Sequence, residues 1–335
     1  MVRSNGQRAN RPGRGSGRGK IAFLKRKQVK IDERRKVGSL RDNLVSVQTK
    51  KLYRKACVWF FQICETFQWT LPQEYLEFDE LVSDAIEYAW GEGEGRSLAG
   101  NLLSGLENSV PLLRGALKES WKLWRQWGKL EIPNRAPPLN LAGTLAISFW
   151  LHEWGFPGAA IVILLAFHRF LRTAEFMGIQ SCHVSFNHAL TRAHITFPTT
   201  KVGKKHGYVE SVTINDITLV KILQRLCRRL RPGDFLMDCS ASKFRILFKA
   251  ALDALSLSKD FQPYSLRRGG ATEFFRATSN MHTAMEIGRW STLRTAKIYI
   301  NCALADLTSA RHFESEAILR ASHYRQRQLS AEVRL

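Results

Sequence analysis

The chain is 335 residues long, 44% hydrophobic and 24% charged, a balance that supports about two globular domains and excludes disorder over the whole length. It carries 51 Lys and Arg against 29 Asp and Glu, a formal net charge of +22. That excess points to a polyanionic partner, nucleic acid before an acidic membrane, and away from small-molecule metabolism.

Residues 1–40 hold 13 Lys and Arg against Asp32 and Glu33. The opening is rich in Gly, Arg, Ser and Asn, with RPGRGSGRGK at 11–20, and has no apolar periodicity; 1–40 is therefore expected to be a flexible basic arm. No apolar stretch follows Met1, and the longest apolar run, Ala159–Phe167, is too short to span a bilayer, so neither a signal peptide nor a membrane partner is expected. From Val47 the pattern turns helical, with Leu52, Ala56, Phe60 and Ile63 in register; Asp79–Trp90, Ser97–Leu106 and Leu112–Trp127 continue it. A helical domain over 45–130 is predicted, with Trp121, Trp124 and Trp127 as packing residues. The stretch 131–139, EIPNRAPPL, has three prolines in nine residues and reads as an interdomain linker.

Beyond it, Ala142–His152 and Pro157–Gly178 read as apolar helices. His183–Pro198 and Tyr208–Ile214 alternate apolar and polar residues, predicting a β-hairpin or small sheet around the basic turn Lys201–Gly207. Helices resume at Ile217–Leu230, stop at Arg231-Pro232-Gly233, and continue from Lys243 onward. The class is mainly α: a helical domain, then a mostly α domain over 140–312 with a small β insertion. Residues 313–335 read as a tail helix with Phe313, Ala317, Ile318 and Ala321 on one face. The six cysteines (Cys57, Cys64, Cys182, Cys227, Cys239, Cys302) contain no Cys-x-x-Cys pair; they suggest buried thiols rather than a disulfide framework or zinc finger. His152, His168, His183, His188, His194 and His206 fall on different elements without ligand spacing, so no metal site is expected.

Five short elements follow one another in the second domain: Leu171-Arg172-Thr173-Ala174-Glu175; Lys201 in the basic turn; Tyr264-Ser265-Leu266-Arg267-Arg268-Gly269-Gly270-Ala271-Thr272; Gly288-Arg289-Trp290-Ser291; and Ile298-Tyr299, with Tyr299 nine residues past Trp290. Singly they read as a solvated Arg-x-x-Glu pair, a charged loop, a basic patch and a half-buried aromatic. As an ordered set they resemble the catalytic domain of the tyrosine recombinase (phage integrase) family over about 140–312. The helical domain before it is similar, in position and helicity, to that family's core-binding domain, which closes over DNA.

The resemblance implies the tyrosine recombinase fold and a site-specific recombinase or integrase that cleaves and rejoins DNA through a 3′-phosphotyrosine, without metal, ATP or other cofactor. A phosphodiester repels nucleophiles, so its attack needs cations on the oxygens where charge grows. Arg172 and Arg267 suit that task, each guanidinium being permanently charged and able to grip two oxygens. Tyr299 is the implied nucleophile, storing the bond energy in an ester that can be rejoined. Lys201 is the implied general acid for the departing 5′ oxygen. Trp290 stands where the family often has histidine and offers its indole N–H to the phosphate. Tyr264 stands where histidine is usual; it can hydrogen-bond a phosphate but accepts protons poorly near neutrality. Glu175 resembles the acidic residue that orients the first arginine, while Lys204, Lys205 and Arg268 are implied DNA contacts. The implied partners are double-stranded DNA and further copies of the chain, a tetramer on paired sites joined through the tail. The implied location is intracellular, nuclear for a eukaryotic mobile element and otherwise cytoplasm or nucleoid. Two other readings stay open: a type IB topoisomerase-like enzyme that nicks and reseals, and a degenerate DNA-binding relic, for which Tyr264 speaks.

Overall fold

The computed structural model describes residues 17–200, 203 and 207–300. The chain divides into two compact units, Met1–Pro133 and Asn134–Leu335.

The first unit is helical. Its first element, α1 (Gly17–Val37), corrects the expectation of a flexible arm through residue 40. No proline interrupts this stretch, and the Lys, Arg, Gln and Glu that fill it propagate helix well. Arg34, Arg35 and Lys36 occupy its last turn, where the helix dipole favours cations. α2 (Val47–Thr66) is capped by Ser46, whose hydroxyl accepts from the Thr49 N–H at 3.1 Å. It packs with α3 (Tyr75–Gly91) and α4 (Arg96–Ser109) around Phe60, Val82, Ile86, Leu102 and Leu103. The helix expected from Leu112 begins later, as α5 (Lys118–Leu130), because Gly115 takes a positive φ of 83°. Asp79 caps it, accepting from the Glu119 and Ser120 N–H groups at 2.8 and 3.1 Å. Trp127 lies in the core, and Trp124 is half-buried beneath the Arg96 guanidinium at 3.8 Å.

In the second unit the predicted linker is shorter than expected. Leu139 is fully buried and its N–H donates to the Ser265 carbonyl at 3.2 Å, so 134–139 belongs to this unit. α6 (Leu141–Glu153) leads to α7 (Pro157–His168), buried from Gly158 to Phe167, the signature of a central helix. Asp238 accepts from the Gly158 and Ala159 N–H groups at 2.7 and 3.0 Å and closes its N-terminus. The sequence reads as one helix from Pro157 to Gly178, but the chain breaks after His168. Phe170 adopts φ +48°, the Leu171 N–H turns back to the Ala166 carbonyl, and a short α8 (Thr173–Met177) begins with Arg172 as its N-cap.

The β insertion is a three-stranded antiparallel sheet of β1 (Val184–Phe186), β2 (Ala193–Phe197) and β3 (Glu210–Ile214) in sequence order. Ala193, Ile195 and Phe197 point inward, opposite Ile214, Val212 and Glu210. α9 (Ile217–Arg229) and α10 (Ala241–Ala254) complete the main core with α6, α7 and the sheet. α11 (Ser265–Thr278), α12 (Met281–Gly288) and α13 (Leu293–Tyr299) follow. Cys64 is buried, but Cys182 is exposed in the polar turn Ser181–His183, which corrects the expectation of uniformly buried thiols. Lys201, Lys204, Lys205, Cys302, the end of the 140–312 domain and the tail 313–335 lie outside the described residues.

α11 is drawn unusually close to its neighbours. A Cβ on Gly269 would overlap the Leu139 carbonyl oxygen, and one on Gly270 would overlap the Phe167 carbonyl oxygen. Backbone cannot yield as a flexible side chain does, so overpacking here costs about 1–3 kcal/mol or more. Gly269→Ala and Gly270→Ala should each lower the unfolding midpoint of the second unit in urea, followed by far-UV circular dichroism; an unchanged midpoint would show that α11 can stand off at little cost.

Candidate active site

The close approach of α11 buries all of 265–272, including two arginines. Arg267 is 0% exposed. Its Nη1 donates to the Phe170 carbonyl and its Nη2 to the Gly288 carbonyl, the latter at 2.7 Å. These carbonyls lie at the C-terminal ends of α7 and α12, where helix dipoles present negative charge. Burial and the nearby Arg172 charge push the Arg267 pKa down to about 10, so it stays protonated at neutrality. Arg268 is 3% exposed, and burial followed by the Arg135 charge lowers its pKa. Arg268, an implied DNA contact, is thus buried beside Arg267 rather than exposed: the two glycines after it draw its turn of helix inward.

Aromatic rings form a floor beside Arg267. Trp290 stacks on Tyr299 with centroids 4.6 Å apart and planes at 26°. On its other contact it lies 6.2 Å from Phe170 at 15°. The Arg267 guanidinium carbon sits 5.1 Å from the Trp290 centroid and 4.9 Å from that of Tyr299, within cation–π range. The Trp290 indole nitrogen is buried and has no hydrogen-bond partner among the described residues. Phe170 accepts its left-handed backbone, a strain of order 1–3 kcal/mol, while its carbonyl binds Arg267 and its ring packs against Trp290 and Phe274.

Tyr264 and Tyr299 meet directly: the Tyr264 hydroxyl donates to the Tyr299 oxygen at 2.6 Å. Burial, then this hydrogen bond, raises the Tyr264 pKa above the ordinary tyrosine value, so Tyr264 remains a donor through the neutral range. Arg172 faces the same place. Its Nη1 donates to Glu175 Oε1 at 2.5 Å, while its backbone N–H donates to Oε2 at 2.8 Å. Burial opposes its charge, but the Glu175 charge and hydrogen bond prevail and raise its pKa.

Five of the six residues singled out for chemistry, Arg172, Tyr264, Arg267, Trp290 and Tyr299, thus converge with Glu175; Lys201 is outside the described residues. Two participants escaped the sequence reading. Arg289 donates from Nη2 to Glu175 Oε2 at 2.5 Å and places Nε 3.6 Å from Glu210 Oε1. Arg289 was visible within the Gly-Arg-Trp-Ser element; Glu210 carried only the signal of an acid on the apolar face of an alternating strand. Arg172, Arg267 and Arg289 stand against Glu175 and Glu210, so this set carries one positive charge in excess, with Arg268 buried beside it.

No protein-family model and no curated protein matches the chain. Solved structures do match. The Tn1549 transposon integrase in complex with transposon right end DNA aligns at TM-score 0.52 with 14% identity, over 80% of this chain and 95% of that one. A lambda integrase dimer bound to a COC′ core site aligns at TM-score 0.52 with 15% identity, over 84% and 77%. A shorter lambda integrase chain on the same kind of site aligns at 0.50 with 14% identity, over 84% and 95%. What is shared at such identity is the fold: mainly helical with a small three-stranded sheet, the tyrosine recombinase fold.

Arg267→Ala would leave the Phe170 and Gly288 carbonyls buried without a donor, at about 1–3 kcal/mol each. The variant should melt lower than wild type as well as lose its cation; an unchanged melting temperature would mean water replaces the guanidinium freely. Tyr264→Phe keeps the ring but removes the donor on the Tyr299 oxygen. A hydrogen bond to a charged oxygen contributes about 1.5–3 kcal/mol, so any reaction of Tyr299 as phenolate should slow by about 10-fold or more. Because Tyr264 does not ionise near neutrality, Tyr264→Phe should remove no inflection from the rate profile between about pH 6 and 7.5.

Proposed function

We propose that this chain is a site-specific DNA recombinase of the integrase type, breaking and rejoining strands through a covalent 3′-phosphotyrosine. The observation that carries the reading is the convergence, from elements up to 127 residues apart in sequence (Arg172 to Tyr299), of two arginines, an indole and a second phenol around one tyrosine.

In the reaction Tyr299 gives its phenolic proton to solvent and, as the phenolate, attacks the scissile phosphorus, displacing the 5′ oxygen and leaving the 3′ phosphate esterified to its ring. Arg172 and Arg267 carry the growing charge on the non-bridging oxygens, Arg267 through whichever N–H faces the phosphate from its fixed position. Trp290 supplies a neutral donor from the buried indole. Tyr264 holds the nucleophile's oxygen as a donor and takes no proton from it, since a phenol with a raised pKa accepts protons poorly. Lys201 protonates the departing 5′ oxygen. The ester conserves the energy of the broken bond, so a second 5′ hydroxyl can reverse the step without ATP, and the arginines supply the cationic charge that a metal supplies in other phosphoryl transfers. Duplex DNA matches the net charge of +22 and the basic α1. Assembly on paired sites through the tail 313–335 belongs to the same reading.

The test incubates the full-length chain with a pool of nicked duplexes of randomised sequence, denatures the mixture and looks for protein joined to DNA. Wild type should give an adduct and Tyr299→Phe none, with DNA binding retained, because one hydroxyl contributes only about a kcal/mol to stability. Lys201→Ala should lose the adduct on ordinary DNA and regain it when the leaving 5′ oxygen is replaced by sulfur, which departs without a proton. Adduct formation by Tyr299→Phe would overturn the assignment.

A further inference from the structure

The buried charges beneath Arg172 form a chain of four: Glu210, Arg289, Glu175 and Arg172. Glu175 is saturated on both oxygens. Oε1 takes Arg172 Nη1 at 2.5 Å; Oε2 takes the Arg172 N–H at 2.8 Å and Arg289 Nη2 at 2.5 Å. The side chains of Glu175, Arg289 and Glu210 are only 5%, 11% and 2% exposed. Arg289 reaches this position because its backbone takes φ +54° at the C-cap of α12, turning its side chain under the sheet and over the Phe197 ring at 5.3 Å. Phe197 and Glu210 are register partners at the ends of β2 and β3. Arg289 is thereby wedged between a strand pair and the helix that starts at Arg172.

Stability alone does not account for the arrangement. A buried ion pair contributes little compared with apolar groups of the same volume, since desolvation offsets most of the attraction. Here the offset is worse than usual. Arg289 Nε and Nη1 and both Glu210 oxygens have no hydrogen-bond partner among the described residues, and the Arg289–Glu210 approach of 3.6 Å is an ion pair without a hydrogen bond. What the network does provide is orientation. With one arginine on each oxygen, the Glu175 carboxylate cannot rotate, and the Arg172 guanidinium that it grips is held in one plane.

We infer that Arg289 is a positioning residue: through Glu175 it fixes the guanidinium of Arg172, and through Glu210 it ties the strand leaving the Lys201 segment to the same network. The inference rests on the reading of Arg172 as a phosphate-binding cation. Arg289 does not touch substrate. Its contribution is to the geometry in which Arg172 meets the phosphate, where a displacement of about 1 Å costs roughly 100-fold in rate.

The test uses full-length protein and one nicked duplex recovered from wild-type adducts of the randomised pool, and measures single-turnover adduct formation, DNA affinity and melting temperature. Arg289→Ala should slow adduct formation about 100-fold while DNA affinity stays within about 3-fold. Its melting temperature should fall because Glu210 is left as an unpaired buried charge. Combining it with Glu210→Gln should restore the melting temperature but not the rate. Combining it with Arg172→Ala should be no slower than Arg172→Ala alone, since residues acting through one group do not add. If Arg289→Ala does not fold, the Arg289→Lys chain, whose single ammonium cannot grip both carboxylates as a fork does, carries the comparison and should be slowed at unchanged affinity. An unslowed variant, a rate that returns with stability in the Glu210→Gln double, or effects that multiply with Arg172→Ala would each overturn the inference. Absence of any adduct from wild type would instead remove the recombinase reading, and this inference with it.

Discussion

The second unit is organised around one buried cation. The Arg267 guanidinium donates to the carbonyls of Phe170 and Gly288, and so joins three stretches far apart in sequence: the break after α7, the start of α11 and the end of α12. An arginine at 0% exposure is tolerable only where acceptors meet it at once, because an uncompensated buried charge is far more costly than the fold can sustain. The carbonyls can meet it because Gly269 and Gly270 let α11 lie against the backbone at Leu139 and Phe167. Any side chain at either glycine would hold the helix off and take the guanidinium away from its acceptors. The Gly-Gly step and the arginine two residues before it are a single device.

From this cation the remaining geometry follows in layers. Phe170 must present its carbonyl inward, which the left-handed turn after α7 accomplishes; the same turn releases Arg172 to cap α8 rather than continue a helix. The aromatic rings of Phe170, Trp290 and Tyr299 then shield one side of the guanidinium from water. Low local polarity strengthens each charge interaction on that side and is the setting in which fixed donors best stabilise growing negative charge. Glu175, Arg289 and Glu210 balance the second arginine from below, leaving the cluster one positive charge in excess.

Much of this was legible in the sequence, and the reasons for the exceptions are specific. Four of the five ordered elements supply the residues that the structure brings together, Arg172 with Glu175, Tyr264 with Arg267, Trp290, and Tyr299; the fifth, at Lys201, lies outside the described residues. The helical and strand elements followed from apolar periodicity. The break at Phe170 was not visible because left-handed backbone is usually announced by glycine or asparagine, and here a phenylalanine takes it under tertiary constraint. Adjacent arginines at a helix start ordinarily form a solvated basic patch, yet Arg267 and Arg268 are both buried; the signal for this is the glycine pair that follows them. α1 read as a flexible arm because its composition lacks an apolar face, yet helix propensity does not require one. Arg289 and Glu175 are 114 residues apart, and nothing in a linear pattern announces that a strand acid will close the same network.

The position of the proposed nucleophile depends on these contacts more than on its own helix. α13 has seven residues, too few to be stable alone. It is held instead by burial of Ala296 beside Phe170, by the stack of Tyr299 on Trp290, by the Thr272 hydroxyl donating to the Tyr299 carbonyl at 3.4 Å, and by Tyr264. Each of these partners belongs to an element that Arg267 joins. The buried cation therefore also sets where the Tyr299 hydroxyl stands. Tyr299 and Arg267 are mechanically one body, so a change in the packing around Trp290 displaces both together, and Arg289, the residue before Trp290, ties Glu175 and with it Arg172 to the same turn.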